Sequence, residues 1–269
     1  MIVRPVYAVI EREILRTLRQ RTRLLASIIR PLIWLFVIGA GFGAALGAGG
    51  LDYQRYLVPG VLGMTLLFGA MLAALSLVYD RESGVMRMLI VAPVAHYWIV
   101  IAKLLSATLA ALLQALLLLV VLAVLGFIEP QTRWLLLAIA LVASALTCAG
   151  IGVLTAAFSR TLENFAAVMN FVIFPLFFLS GALYAVDTLP APFKLLALLN
   201  PFSYAVDLLK HALPVSPGAL PTAEFGVARD LLHALGFTVI ALAVASWRFS
   251  RPGRYEPLIH LLAGKRGRT

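Results

Sequence analysis

The stretch LLSATLAALLQALLLLVVLAVLGFI, Leu104–Ile128, runs for twenty-five residues without a charge. Coiled as a helix at 1.5 Å per residue it is about 38 Å long, enough to cross a hydrocarbon core about 30 Å thick. Lys103, immediately before it, is read as the cytoplasmic water boundary of a span covering 98–128. Outward from this stretch, helices built on predominantly apolar stretches of similar length are placed at roughly 28–48, 56–79, 134–158, 164–186 and 229–249, with charges only near their ends. The whole chain shares the bias, with 62% apolar and 13% charged residues among 269. A soluble domain carries about 45–50% apolar and about 25% charged residues, so lipid is the solvent for most of this protein. No polar block is long enough to be a soluble domain. Residues 1–269 are therefore read as one membrane domain.

Basic residues set the topology. Arginines and lysines gather at one set of span ends: residues 1–30, 80–103, Arg160 and the region from Arg248 onward hold 17 of the 22. The opposite set, Arg55, Arg133, Lys194, Lys210 and Arg229, holds five. Acidic residues divide evenly, so Lys and Arg alone separate the two sides, and the richer side is cytoplasmic. Both termini then face the cytoplasm, which requires an even number of spans, and six fit. The net charge of +10 is thereby explained by anionic lipid at the span ends, with no nucleic-acid partner expected. The first thirty residues carry seven arginines and no clean apolar core of a signal peptide. The chain is expected to enter the membrane through its own spans.

Three segments lie between these helices. Within 1–27, Tyr7, Ile10, Ile14 and Leu18 recur at helical spacing, with Glu11, Arg12, Arg16, Arg19 and Arg23 on the other faces. That pattern predicts an amphipathic helix on the cytoplasmic surface; an irregular basic arm is the alternative. Segment 80–97 contains DRESGVMRMLIVAPV, too charged to span and too apolar for a plain loop. Val85, Met88, Leu89 and Ala92 share a helical face and Pro93 closes it. A short surface helix follows, offering Asp80, Arg81, Glu82 and Arg87 to another protein. Segment 187–214 has apolar pieces of about ten residues interrupted by Pro190, Pro192 and Pro201. Such pieces cannot cross a bilayer and fit helices that dip in from the outer side. Asp187, Thr188 and Ser203 are the expected capping oxygens. At the end of the first span, Gly39, Gly43 and Gly47 are spaced four apart, a stripe that permits close helix approach, or a flexible exit.

Catalytic patterns are missing from the sequence. It contains no nucleophile elbow, no HExxH and no P-loop. The single cysteine, Cys148, excludes an internal disulfide and a cysteine metal cluster, and the four scattered histidines suggest no metal set. With these boundaries no Asp, Glu, Lys or Arg falls in the interior of spans one to five, which removes the usual coupling group of a proton- or sodium-driven transporter. No channel filter is visible. Energy is expected to arrive from outside the membrane, through segment 80–97.

Tyr53–Gly60 (YQRYLVPG), Asp80–Val94 and Phe178–Lys210, with its LSGALY and LNPFSY motifs, together resemble the ABC-2 type permeases, the membrane subunits of type V ABC exporters. The match in order and spacing covers nearly the whole chain. The resemblance implies an all-α membrane protein of six transmembrane helices. It adds an N-terminal interfacial helix, a cytoplasmic coupling helix and outer re-entrant helices before the last span. It implies a transport subunit of a bacterial inner-membrane exporter without its own nucleotide site or cofactor, ATP and Mg being held by a partner ABC ATPase in two copies. A second permease copy, as a homodimer, completes the assembly. Arg81, Glu82, Ser83, Gly84, Arg87 and Pro93 are the ATPase-coupling candidates. Thr65, Asn164, Asn170, Phe171 and Phe174 are candidates for the substrate path, and Gly39, Gly43 and Gly47 for dimer packing. The expected cargo is amphipathic: a drug-like compound, a lipid or a lipid-linked glycan. A stand-alone secondary transporter or channel is the alternative, and a lipid-acting membrane enzyme a third class.

Overall fold

The computed structural model describes residues 3–45, 50–83, 96–214 and 223–249. The described residues are helical, joined by turns. Helix α1 (Val3–Arg19) precedes a first span in which α2 (Arg21–Ile33), a π-helical turn (Trp34–Ile38) and α3 (Gly39–Ala45) follow end to end. Then come α4 (Gly50–Glu82), α5 (His96–Val124), α6 (Trp134–Phe158) and α7 (Leu162–Phe178). After a 3-10 turn (Val186–Thr188), α8 (Ala191–Leu199) and α9 (Pro201–Ala212) lead to the last span, α10 (Val227–Phe249). Among the described residues, five helices are long and apolar enough to cross a membrane: Leu24–Ala45 and the main parts of α4, α5, α6 and α10. The sixth expected span, 164–186, is a shorter apolar helix. It stops at Phe178 because Gly181 takes a positive φ of 76° and the chain turns back onto α4.

Helices α4 and α6 form the centre, and α5, α9 and α10 pack around them. In lipid no hydrophobic drive brings helices together, so close backbone approach must. The inner faces of α6 are accordingly built from Ala140, Ala143, Ser144, Thr147, Ala149, Gly150, Gly152 and Ala156. A Cβ added at Gly152 would meet Ala74 Cβ at 3.0 Å and Ala70 O at 3.2 Å across the α4 contact. Hydroxyls tie the helices further. Ser144 donates to Ala205 O of α9 at 2.9 Å and Thr147 to Ala234 O of α10 at 3.2 Å.

The YQRYLVPG stretch opens α4 and seats the outer turn. Tyr53 donates its phenol proton to Leu183 O at 2.8 Å, and Gly60 lies against Ala182. Helices α8 and α9 have nine and twelve residues, too short to span, as the prolines predict. Helix α9 is buried from Phe202 to Lys210 by α4, α6 and α10. Its cap is Asn200, not Ser203. The Asn200 side chain accepts from Phe202 N and donates to Leu176 O, while the Ser203 hydroxyl turns to Ala197 O. Thr188 likewise bonds backward to Ala185 O, and no side chain caps α8.

Helix α1 covers the segment expected to be an amphipathic helix. Glu13 and Thr17 are buried against the bundle while Leu15 and Leu18 are exposed, because α1 docks on α5 through an ion pair rather than an apolar stripe. Gly39 is also used within the chain. Gly39 and Gly43 are both buried, and a Cβ at Gly39 would lie 2.6 Å from Gln54 Cγ of α4, so Gly39 serves the chain's own helix contact; Gly47 lies outside the described residues. A Cβ at Gly60 would sit 2.7 Å from Ala182 O and 2.8 Å from Ala182 Cβ. Gly60→Val should therefore cost about 1–3 kcal/mol through overpacking, read as a lower Tm of the detergent-purified protein. Gly41→Ala, which meets nothing within 4 Å, should not lower it.

Candidate functional site at the base of segment 80–97

Helix α4 continues through Asp80, Arg81 and Glu82 to a turn at Ser83, and α5 resumes at His96. Gly84, Arg87 and Pro93 lie outside the described residues. The two ends of the segment are clamped by an ionic cluster that sequence reading did not assemble. Lys103 Nζ lies 2.5 Å from Asp80 Oδ2, 2.9 Å from Glu13 Oε1 and 3.2 Å from Ser76 Oγ. Arg12 Nη2 reaches the same two carboxylate oxygens, Asp80 at 3.0 Å and Glu13 at 2.9 Å. The side chains of Lys103 and Asp80 are only 2% and 3% exposed, so Lys103 is a buried ion rather than a marker of the water boundary. Two cations face two anions, which is what makes their burial tolerable. Three elements meet here: α1 through Arg12 and Glu13, the end of α4 through Asp80, and the first turns of α5 through Lys103. Burial pushes the Glu13 carboxyl up, but the Lys103 ammonium and the Arg12 guanidinium outweigh it and hold Glu13 below its ordinary range.

Arg81 and Glu82 are engaged inside the chain as well. Arg81 donates to Ser159 O at 2.6 Å, at the carbonyl end of α6, and its guanidinium lies 4.5 Å over the Phe249 ring of α10. Glu82 accepts from Leu162 N at 3.1 Å, at the amide end of α7. Each charge meets the helix end of opposite partial charge. The Ser83 hydroxyl bonds back to Tyr79 O. The start of the segment is thus tied to α6, α7 and α10, and its base to α1 and α5. Beside the cluster a cavity of about 410 Å³ opens between α1, α4 and α5, with Glu13, Ser76 and Tyr79 in its wall.

The path candidates do not converge. Thr65 is buried and bonded to Val61 O, in a crevice between α2, α4 and α5 that also holds Arg30, Phe68 and Gln114. Asn164, Asn170, Phe171 and Phe174 are exposed on α7, Phe171 at 79%, opposite the buried Phe165, Ile173 and Phe177. Gln114 was missed: it is buried in α5, and neither amide atom has a hydrogen-bond partner among the described residues. The reading that the interiors of spans one to five lack ionisable groups is narrowed: Lys103 and Asp80 are buried within span helices, near their ends. Asp230, at the start of the last span, is buried as well. The legible signal was the presence of Glu13, Asp80 and Lys103 on one side of the membrane. Only folding places them together.

Among the described residues, an all-α bundle with several helices long and apolar enough to cross a membrane defines a multi-pass membrane protein. Comparison with known proteins gives the family. The ABC-2 type transporter family matches residues 4–213, which run from α1 to the end of α9. Nodulation protein J of Rhizobium leguminosarum bv. trifolii is 32% identical over 193 residues, covering 70% of this chain and 72% of that protein. Inner membrane transport permease YadH of Escherichia coli (strain K12) is 26% identical over 235 residues, covering 86% and 88%. The chain belongs to the ABC-2 type transporter family and is a membrane permease subunit of an ABC transporter.

Removing one member of the cluster leaves a buried charge uncompensated. Lys103→Met should cost about 3–5 kcal/mol, seen in thermal unfolding in detergent. The double variant Lys103→Met/Asp80→Leu should cost less than the single one. Because Glu13 is held below its ordinary value of 4.5, its contribution is present above that value and lost as pH falls through the folded-state value. Glu13→Gln should flatten the fall in Tm on acidification in that range.

Proposed function

We propose that this subunit exports an amphipathic compound (drug-like, lipid or lipid-linked glycan) from the cytoplasm as a homodimer with two copies of a separate ABC ATPase. The carrying observation is the Arg12–Asp80–Lys103–Glu13 cluster. A push on the described ends of segment 80–97 would be passed to the bundle, because the segment's base is fixed to α1, α4 and α5 by ion pairs in which Glu13, Asp80 and Lys103 are buried. Its start is fixed to α6, α7 and α10 by Arg81 and Glu82. Nucleotide-driven closure of the ATPase would therefore move helices rather than side chains. Arg87 and Pro93 would meet the ATPase, Gly84 would let the segment turn, and ATP and Mg would stay on the partner.

The second copy would face α7 and the first span, where Phe171, Phe174, Phe36 and Val37 are exposed. Substrate would pass between the copies along the first span, α4 and α7, with Asn164 and Asn170 as polar contacts and Thr65 farther in. Both termini would lie in the cytoplasm of a bacterial inner-membrane system, as the basic residues require.

Proteoliposomes decide between this reading and a stand-alone transporter. Flux should require both ATP and the ATPase, and gradient-driven flux from this chain alone would overturn it. Gly84→Val and Arg87→Glu should each lower capture of the ATPase by about tenfold, the scale expected for loss of a central interface contact. Unchanged capture would remove residues 84–95 from the coupling role.

A further inference from the structure

The outer side of the bundle carries a second buried group of charges that coupling to an ATPase does not use. Its members come from α9 (Asp207, Lys210 and His211), the turn before α10 (Glu224) and the first turn of α10 (Asp230). Three carboxylate side chains are buried there: Asp207 at 4% exposure, Glu224 at 5% and Asp230 at 0%. Lys210 is the buried cation among them, 3.4 Å from Glu224 Oε1. Arg229 lies on the ring faces of Phe225 and Tyr204. With His211 neutral, the buried groups therefore sum to a formal charge of −2, a large cost in a low-dielectric site.

Two of the carboxylates are accounted for by hydrogen bonds. Glu224 accepts from Val186 N and Asp187 N at 2.9 and 3.0 Å. Asp207 accepts from Glu224 N at 2.9 Å and Phe225 N at 2.9 Å. Asp230 is different. Both of its oxygens are buried and neither has a hydrogen-bond partner among the described residues. Burying a carboxylate that nothing satisfies is the arrangement proteins avoid, unless something else completes it.

Asp230 faces both Asp207 and His211, and the His211 Nε2 stands 3.7 Å from Asp230 Oδ2 and 3.6 Å from Asp207 Oδ2. One atom from each of the three residues can be chosen so that all lie within 4.8 Å of one another. A tetrahedral ion with bonds of about 2.1 Å holds its ligand atoms about 3.4 Å apart. The two imidazole separations are therefore those of ligands around a common centre, slightly too long for direct hydrogen bonds.

We propose that Asp207, His211 and Asp230 form a divalent metal site, with Zn²⁺ the fitting ion. The donor set of one imidazole and two carboxylates favours a first-row ion over calcium or magnesium, which take oxygen shells of six or more. A +2 ion also cancels the formal charge of the cluster. On binding, the neutral imidazole would take its Nδ1–H tautomer, the Nε2 proton now donated to Phe225 O at 2.7 Å passing to Nδ1 through solvent, which frees the Nε2 lone pair for the ion. The backbone amides that hold Asp207 fix one ligand in place. His211, the least buried of the three at 21% exposed, marks the side from which the ion enters. Bound there, it would cross-link the re-entrant helix α9 to the start of the last span. This site does not depend on the export reading.

The test uses the full chain purified in detergent without a histidine tag, stripped with chelator and re-equilibrated with Zn²⁺. Elemental analysis should return about one ion per chain, and Zn²⁺ should raise the Tm by several degrees over the chelated protein. Asp230→Asn and His211→Gln should each lose the bound ion and the Tm increment. In chelator, Asp230→Asn should unfold no earlier than the parent, because it removes an unsatisfied charge. Co²⁺ loading should give a visible absorption band in the parent that His211→Gln abolishes. Zinc retained equally by the parent and both variants, or by none of them, would overturn the proposal. Since His211 is partly exposed, its variant reports even if Asp230→Asn fails to fold.

Discussion

A lipid-embedded chain gains nothing from bringing apolar side chains together, since the hydrocarbon around them is as apolar as they are. Its helices are held by close approach and by polar groups that have no water to turn to, and this structure is organised around both. The α4–α6 contact is possible because Gly152 and a run of alanines let two backbones meet. Every other long helix packs on that pair. The hydroxyls of Ser144 and Thr147 then bond across to carbonyls of α9 and α10, where a soluble protein would have had solvent as an alternative.

The same constraint explains why charge collects at two depths. At one end, four ions from α1, α4 and α5 neutralise one another, and three of them, Glu13, Asp80 and Lys103, are buried. At the opposite end the carboxylates outnumber the buried cation, and their cluster sits where α9 meets the start of α10. Both clusters lie at junctions between helices.

Much of the fold was legible in the residues. Charge-free stretches located the spans because hydrophobic thickness fixes their length, and Pro190, Pro192 and Pro201 predicted the short outer helices because proline interrupts the backbone ladder. Individual roles were less legible. Arg81 and Glu82 read as charges offered to another protein, and within the chain they meet the ends of α6 and α7. Gly39 read as part of a stripe for helix packing, and α4 lies against it. Ser203 read as a cap, yet Asn200 holds that place. In each case sequence named a suitable chemistry and could not name the neighbour.

By itself, then, the sequence determined that this is a helical membrane protein, where its spans lie and which of its segments cannot span. Those properties depend on composition along short windows, and a window is local. Tertiary structure alone decided that Glu13, Asp80 and Lys103 share one buried cluster and that Asp207, His211 and Asp230 share another. Their positions in the chain are 23 to 90 residues apart in the first case and up to 23 apart in the second. No periodicity carries that information, because it is the packing of whole helices that sets which ends meet.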